Sequence, residues 1–151
     1  MNNPFLESPS NLRKEWKQLR NSLTADLSDL QQLEIVSKWW AQCPTAHQWL
    51  DYDHVHTWPD PWELITTKNL DYSAISLGIE YTLLLNGDGR WTGNRIQLCL
   101  ASDIGRTMQH LVVIVDNKLV LNASYAKVID LTDELIVHSR YRYDNKKHIE
   151  I

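Results

Sequence analysis

Over the first 43 residues the apolar positions return at helical intervals. Leu12, Trp16, Leu19 and Leu23 share one face, with Arg13, Lys14 and Lys17 between them, which is the repeat of an amphipathic helix. Ser10 is the N-cap this pattern predicts. Leu30, Leu33, Val36 and Trp40 predict a second helix. The capping-box pair Ser28 and Gln31 opens it, and Pro44 ends it. From Pro44 to Thr57 the periodicity is lost and the chain reads as loop.

The next stretch, HTWPDPWELI at residues 56 to 65, carries local signals of its own. Trp58 and Asp60 each precede a proline, which pushes both towards extended backbone. Asp60 suits an N-cap, Pro61 the first helical position, and Glu63 the reciprocal partner three residues on. A rigid strut entering a short helix from Pro61 to Thr66 is predicted. A longer helix follows from Asp71 to Leu85, with Leu70, Ala74, Leu77, Gly78, Tyr81, Leu84 and Leu85 as its apolar face. Asp71 or Ser73 can cap it, and Asn86-Gly87-Asp88-Gly89 stops it. At least one of Trp58 and Trp62 is expected to pack on this core helix, as a clamp.

Beyond residue 90 the period falls from 3.6 to 2. Ile96, Leu98 and Leu100 alternate in a strand over 95–101, and QHLVVIV at 109–115 is a mostly buried strand. Asp116-Asn117-Lys118 is a hairpin turn, and Leu119 to Asn122 returns. A further strand is expected at 135–143. It sets Ile136, His138, Arg140 and Arg142 against Val137, Ser139, Tyr141 and Tyr143. Helices followed by an antiparallel sheet imply an α+β fold. There is no internal repeat. The composition shifts near residue 44, so residues 1–43 read as an N-terminal helical extension and 44–151 as the α+β domain.

Composition narrows the function. The net charge of -4 argues against nucleic acid. The basic group Arg140, Arg142, Lys146 and Lys147 reads as a solvated edge. No apolar run reaches the length of a membrane span. The N-terminal MNNPFLESPSNLRKEW lacks a signal-peptide core, so a cytosolic origin is expected. Two cysteines, Cys43 and Cys99, make no disulfide scaffold. No phosphate loop, zinc pattern or dinucleotide fingerprint occurs, and no cofactor is expected. Asp51, Asp53, His54 and His56 are metal-capable residue types, but in no recognised spacing. Seven tryptophans against one phenylalanine stand out. Trp buries a large area and is enriched at binding hot spots. Trp16, Trp39, Trp40, Trp58 and Trp62 are the candidate protein-binding anchors.

The stretches NLDYSAISLGIEYTLLL and HLVVIVDNKLVLNAS resemble the core helix and the following strands of the transglutaminase-like, papain-related fold. The resemblance spans residues 59 to 125. It implies a helix N-terminus carrying a nucleophile, a His on one strand and an Asp or Asn on the next. Asp71, Tyr72 and Ser73 match the helix start. His110 and Asn122 match the strand positions. The nucleophile's place falls near Asn69, and no Cys lies between Asn69 and Ser73. Nothing near Ser73 would activate its hydroxyl. The resemblance therefore implies a degenerate site with His110 and Asn122 as vestiges. A two-residue turn at Asp116-Asn117 would put these two on opposite faces. A three-residue loop would put them on the same face.

WPDPWELI, DYSAISLGIEYTLLL, RIQLCL and KLVLNASYAKVID resemble a family of small proteins from contractile-tailed bacteriophages of cyanobacteria, over residues 37 to 144. This implies a virion component of tail, baseplate or neck, made in the host cytoplasm. It would act by contacts with other phage structural proteins or with itself, and not as an enzyme. The alternatives are an amide-processing transglutaminase-like enzyme and a small host-takeover binding protein.

Overall fold

Four α-helices precede six strands among the described residues of the computed structural model, which are 3–67, 69–105, 107–124 and 126–151. Tyr125, where the transglutaminase-like resemblance ends, lies outside them. Helix α1 runs Pro9–Ser22, and its cap is Ser8 instead of Ser10. The reason is Pro9: it lacks an N–H and its φ suits the first helical position. The cap therefore falls one residue earlier, where Ser8 Oγ accepts from Asn11 N. Helix α2, Asp29–Trp40, has both arms of the expected capping box. Its buried face is turned from the expected stripe: Gln32 and Ser37 are inside, and Leu30 is 47% exposed. Gln32 holds that rotation, because its Oε1 accepts from Trp91 Nε1 and Asn86 Nδ2.

Helix α3, Pro61–Thr67, starts as the local chemistry predicts. Asp60 Oδ1 accepts from Glu63 N at 2.8 Å, and Glu63 Oε1 accepts from Asp60 N at 3.1 Å. Helix α4, Tyr72–Leu84, is capped by Asp71, and residues 73–83 are all buried. A helix buried all round is the centre of a fold, not a surface element.

The strands are β1 (Ile96–Asp103), β2 (Gln109–Val115), β3 (Leu119–Leu121), β4 (Val128–Asp130), β5 (Leu135–Asp144) and β6 (Lys147–Glu150). They form one sheet in the order β4-β3-β2-β1-β5-β6, antiparallel throughout. Val115 pairs with Leu119, so three residues connect β2 to β3. Asp116 and Asn117 both take φ of 53° there. The three-residue alternative is the one adopted. Strands β4 and β6 were not expected. Each is too short to show an alternation, and β6 follows a tight turn at Asn145 and Lys146, both at positive φ.

The expected alternation along β5 is corrected by a bulge. Leu100 pairs with Ser139 and Ala101 with Val137, leaving His138 extra. One extra residue exchanges the two faces. Leu135 and Val137 therefore join Cys99 and Ala101 on the outer face, while Tyr141 and Tyr143 face the helices.

One continuous core runs from Phe5 through α1, α2 and α4 to Tyr141. The first helices, expected as an extension, contribute to this core. Trp16 Nε1 and Trp40 Nε1 both donate to Thr82 Oγ1 on α4, each at 2.9 Å. The Trp40 ring lies so close over Gly78 that a Cβ there would collide with it.

Three expected anchors, Trp16, Trp40 and Trp58, are buried in the chain's own core. Trp39 is half-buried against Phe5 and Trp40. Trp58 packs on Tyr141 and His148 of the sheet. The tie from α4 to the strut is Tyr81 Oη, which donates to Pro59 O at 2.7 Å. Trp62 is 54% exposed, edge-on to Trp16. No helix of the described residues is long and apolar enough to cross a membrane.

Candidate functional site

A cleft of about 770 Å³ opens where the N-terminus of α4 meets the start of β2 and the end of β3. His110, Asn122, Tyr72 and Ser73 line it, facing Cys43, Gln48 and Tyr52 from the 41–57 connection. The three-residue β2–β3 connection brings His110 and Asn122 together, as the second turn arrangement requires. Their contact differs from the expected side-chain pair. His110 Nε2 lies 2.7 Å from the backbone carbonyl of Asn122. A carbonyl can only accept, so Nε2 carries the proton. The Tyr72 ring lies against the imidazole, with centroids 5.5 Å apart. Burial lowers the His110 pKa, against smaller opposing effects from the Asn122 carbonyl and Asp71. Burial thus favours the neutral imidazole.

Asn122 takes φ of 69°, which turns the chain at the end of β3. Its Nδ2 donates to Tyr72 O and to Ser76 Oγ, both at 2.7 Å. The carboxamide thus fastens β3 to the first turn of α4 and does not orient the imidazole.

The hydroxyls at this helix end are also engaged. Ser73 Oγ accepts from Leu111 N and lies 2.6 Å from Tyr52 Oη. Ser76 Oγ donates to Leu111 O at 2.6 Å. Neither serine bonds to His110. Asn69, at the nucleophile's place, is exposed and lies two residues before the cap. Asp71 is structural: Oδ1 accepts from Ala74 N, and Oδ2 accepts from Trp49 N and Leu50 N. One carboxylate caps α4 and holds down the preceding loop.

Cys43 lines the cleft, but burial pushes its thiol up to about 12. Burial likewise raises Cys99 to about 11, with Arg140 pulling slightly the other way. Thiolate is scarce at both near neutral pH. In the 51–56 loop, Asp51 Oδ2 pairs with His54 Nδ1 at 2.6 Å, and both are well exposed. Among the described residues no three His, Cys, Asp or Glu come together as a metal site.

Tyr52 and Gln48 complete the cleft, Ser76 lies behind it bonded to Asn122, and all three went unnoticed in the sequence. Tyr52 and Gln48 sit in an aperiodic loop, and Ser76 lies inside a helix with no local motif.

Comparison with solved structures places this arrangement. The chain superposes on LapG from Legionella pneumophila with a TM-score of 0.67 at 17% identity, covering 89% of this chain and 82% of that one. The calcium-bound form gives 0.67 at 15% identity, with 95% and 88% covered. The EGTA-treated form gives 0.67 at 17%, with 89% and 81% covered. The fold is LapG-like, which is transglutaminase-like. No protein-family model matches the chain, and no curated protein does. The transglutaminase-like resemblance of residues 59 to 125 thus extends, at the level of fold, over most of the chain.

Proposed function

We propose that this chain is a non-catalytic binding protein on a LapG-like fold, acting by protein–protein contacts as a structural or assembly component of a tailed-phage particle. The observation that carries the non-catalytic reading is the occupancy of the helix end facing His110. Tyr72 covers the imidazole, Ser73 and Ser76 are bonded elsewhere, and no cysteine stands at the N-terminus of α4. Nucleophilic catalysis needs a nucleophile within hydrogen-bond reach of its base. The setting in a phage particle is supported by the resemblance carried by WPDPWELI, DYSAISLGIEYTLLL, RIQLCL and KLVLNASYAKVID.

Mass spectrometry of purified particles tests the setting. The protein is expected at a fixed copy number per particle. Its absence from particles would sink the structural role and favour a binding protein made only during infection. Assays on peptide and amide substrates test the chemistry. Turnover by the parent protein that His110→Ala abolishes would replace this reading with an amide-processing enzyme.

A further inference from the structure

Helix α1 carries four basic residues and one acidic residue in a chain whose net charge is -4. Arg13, Lys17 and Arg20 fall at i, i+4 and i+7, along one stripe of its surface. Arg13 and Lys17 are exposed, and none of the three has an ion-pair partner among the described residues. Arg20 is the unusual member. Its guanidinium carbon lies 4.3 Å from the Trp16 ring centroid and 5.7 Å from that of Trp62. Its Nε is buried without a hydrogen-bond partner. Beside it, Trp62 leaves 54% of its surface in solvent. A desolvated cation without an acid, next to an exposed indole, is a poor surface for an isolated chain. Trp and Arg are also the residues most enriched where partners bind.

The chain holds a surface of the opposite kind. In and after β4, Asp130, Asp133 and Glu134 are exposed and take no ion pair among the described residues. Ile129 is 37% exposed on the same edge strand. No ion pair joins this segment to α1 within one chain.

We infer that the chain associates head-to-tail with a second copy of itself, the Arg13–Lys17–Arg20–Trp62 surface of one receiving the 129–134 segment of the next. Three carboxylates meet three cations, and Ile129 covers Trp62. The two surfaces differ, so the contact is heterologous. Such contacts repeat into rings or filaments instead of stopping at a dimer. This deepens the binding-protein reading and rests on it.

Sedimentation velocity on the full chain tests the inference. Association is expected to rise with concentration at about 50 mM salt and to weaken about tenfold or more at about 500 mM. The double variant Lys17→Glu, Arg20→Glu should be monomeric, and so should Asp133→Lys, Glu134→Lys. Mixed in equal amounts, they offer the native contact and a charge-swapped one, so association should return. Arg20 is half-buried, so a melting curve accompanies its variant. Should that variant fail to fold, Arg13→Glu with Lys17→Glu probes the same surface from exposed positions.

A wild-type chain that stays monomeric at low salt overturns the inference, as does association indifferent to both charge reversals. Capture of a labelled DNA oligonucleotide by α1, without self-association, overturns it too. A monomeric chain that is nonetheless present in particles would lose this inference and keep the binding-protein reading. Amide turnover lost in His110→Ala would remove that reading whatever the association state.

Discussion

His148 Nε2 stands 2.6 Å from Glu80 Oε1, with side chains 3% and 0% exposed. The pair joins β6, the last strand, to α4, the central helix. The His148 ring also packs on Trp58, Tyr81 and Tyr143. The strut of HTWPDPWELI and the C-terminal hairpin therefore close over the same carboxyl group. Glu80 Oε2 is buried with no hydrogen-bond partner. Burial raises the Glu80 pKa, and His148 only partly opposes it.

A stability profile follows from that direction. A raised folded-state pKa contributes stability that is whole below the ordinary carboxylate value. It is lost as pH rises through the folded value. Glu80→Gln cannot ionise, and its N–H can still reach His148 Nε2. Tyr81 and Tyr143 pack on His148 in both proteins, and burial raises both phenols further from this pH range. The melting temperature of the variant should gain on the parent as pH goes from about 4 to about 8. A difference that stays flat across that range would refute the linkage.

Thr82 supplies a second test. Its single hydroxyl accepts from two indoles, Trp16 and Trp40, and donates to Gly78 O at 2.6 Å. Thr82→Val keeps the shape and leaves both buried N–H groups unpaired. The expected cost is about 2–4 kcal/mol, from two orphaned donors. Urea unfolding measures it. A loss below about 0.5 kcal/mol would mean that the two helices are held by apolar packing alone.

Deleting residues 1–27 tests whether the first helices are an arm or part of the core. The deletion removes Phe5, Leu12, Trp16, Leu19 and Leu23, all buried. It also removes the Ala25 and Leu27 carbonyls that accept from Arg90. The shortened chain should lose cooperative thermal unfolding and its near-ultraviolet tryptophan signal. A truncated protein that melts cooperatively near the parent temperature would restore the arm.

Local chemistry made much of the helical half legible. The α2 and α3 capping boxes, the Asp71 cap and the stop after α4 are short-range interactions within four residues. So is the turn at Asp116-Asn117. The misreadings have equally physical causes. Ser10 lost the cap to Ser8 because Pro9 fits the first turn. The β5 faces exchanged because one bulged residue shifts the register against β1, which no pattern within β5 reveals. Strands β4 and β6 exist only because β3 and β5 offer them an edge.

The sequence by itself determined the order of the four helices and of β1, β2, β3 and β5, the α+β class and the absence of a cysteine at the core helix start. Each of these depends on residue identity and near neighbours. Only the tertiary structure decided that His110 Nε2 is held by the backbone of Asn122, that Trp16 and Trp40 share Thr82, and that Trp62 stays outside. Those outcomes depend on side chains 12 to 66 positions apart sharing donors, acceptors and buried space. Within HTWPDPWELI the division is plain. Asp60, Pro61 and Glu63 start a helix wherever they are placed, whereas the burial of Trp58 and the exposure of Trp62 were set by what the rest of the chain brought against them.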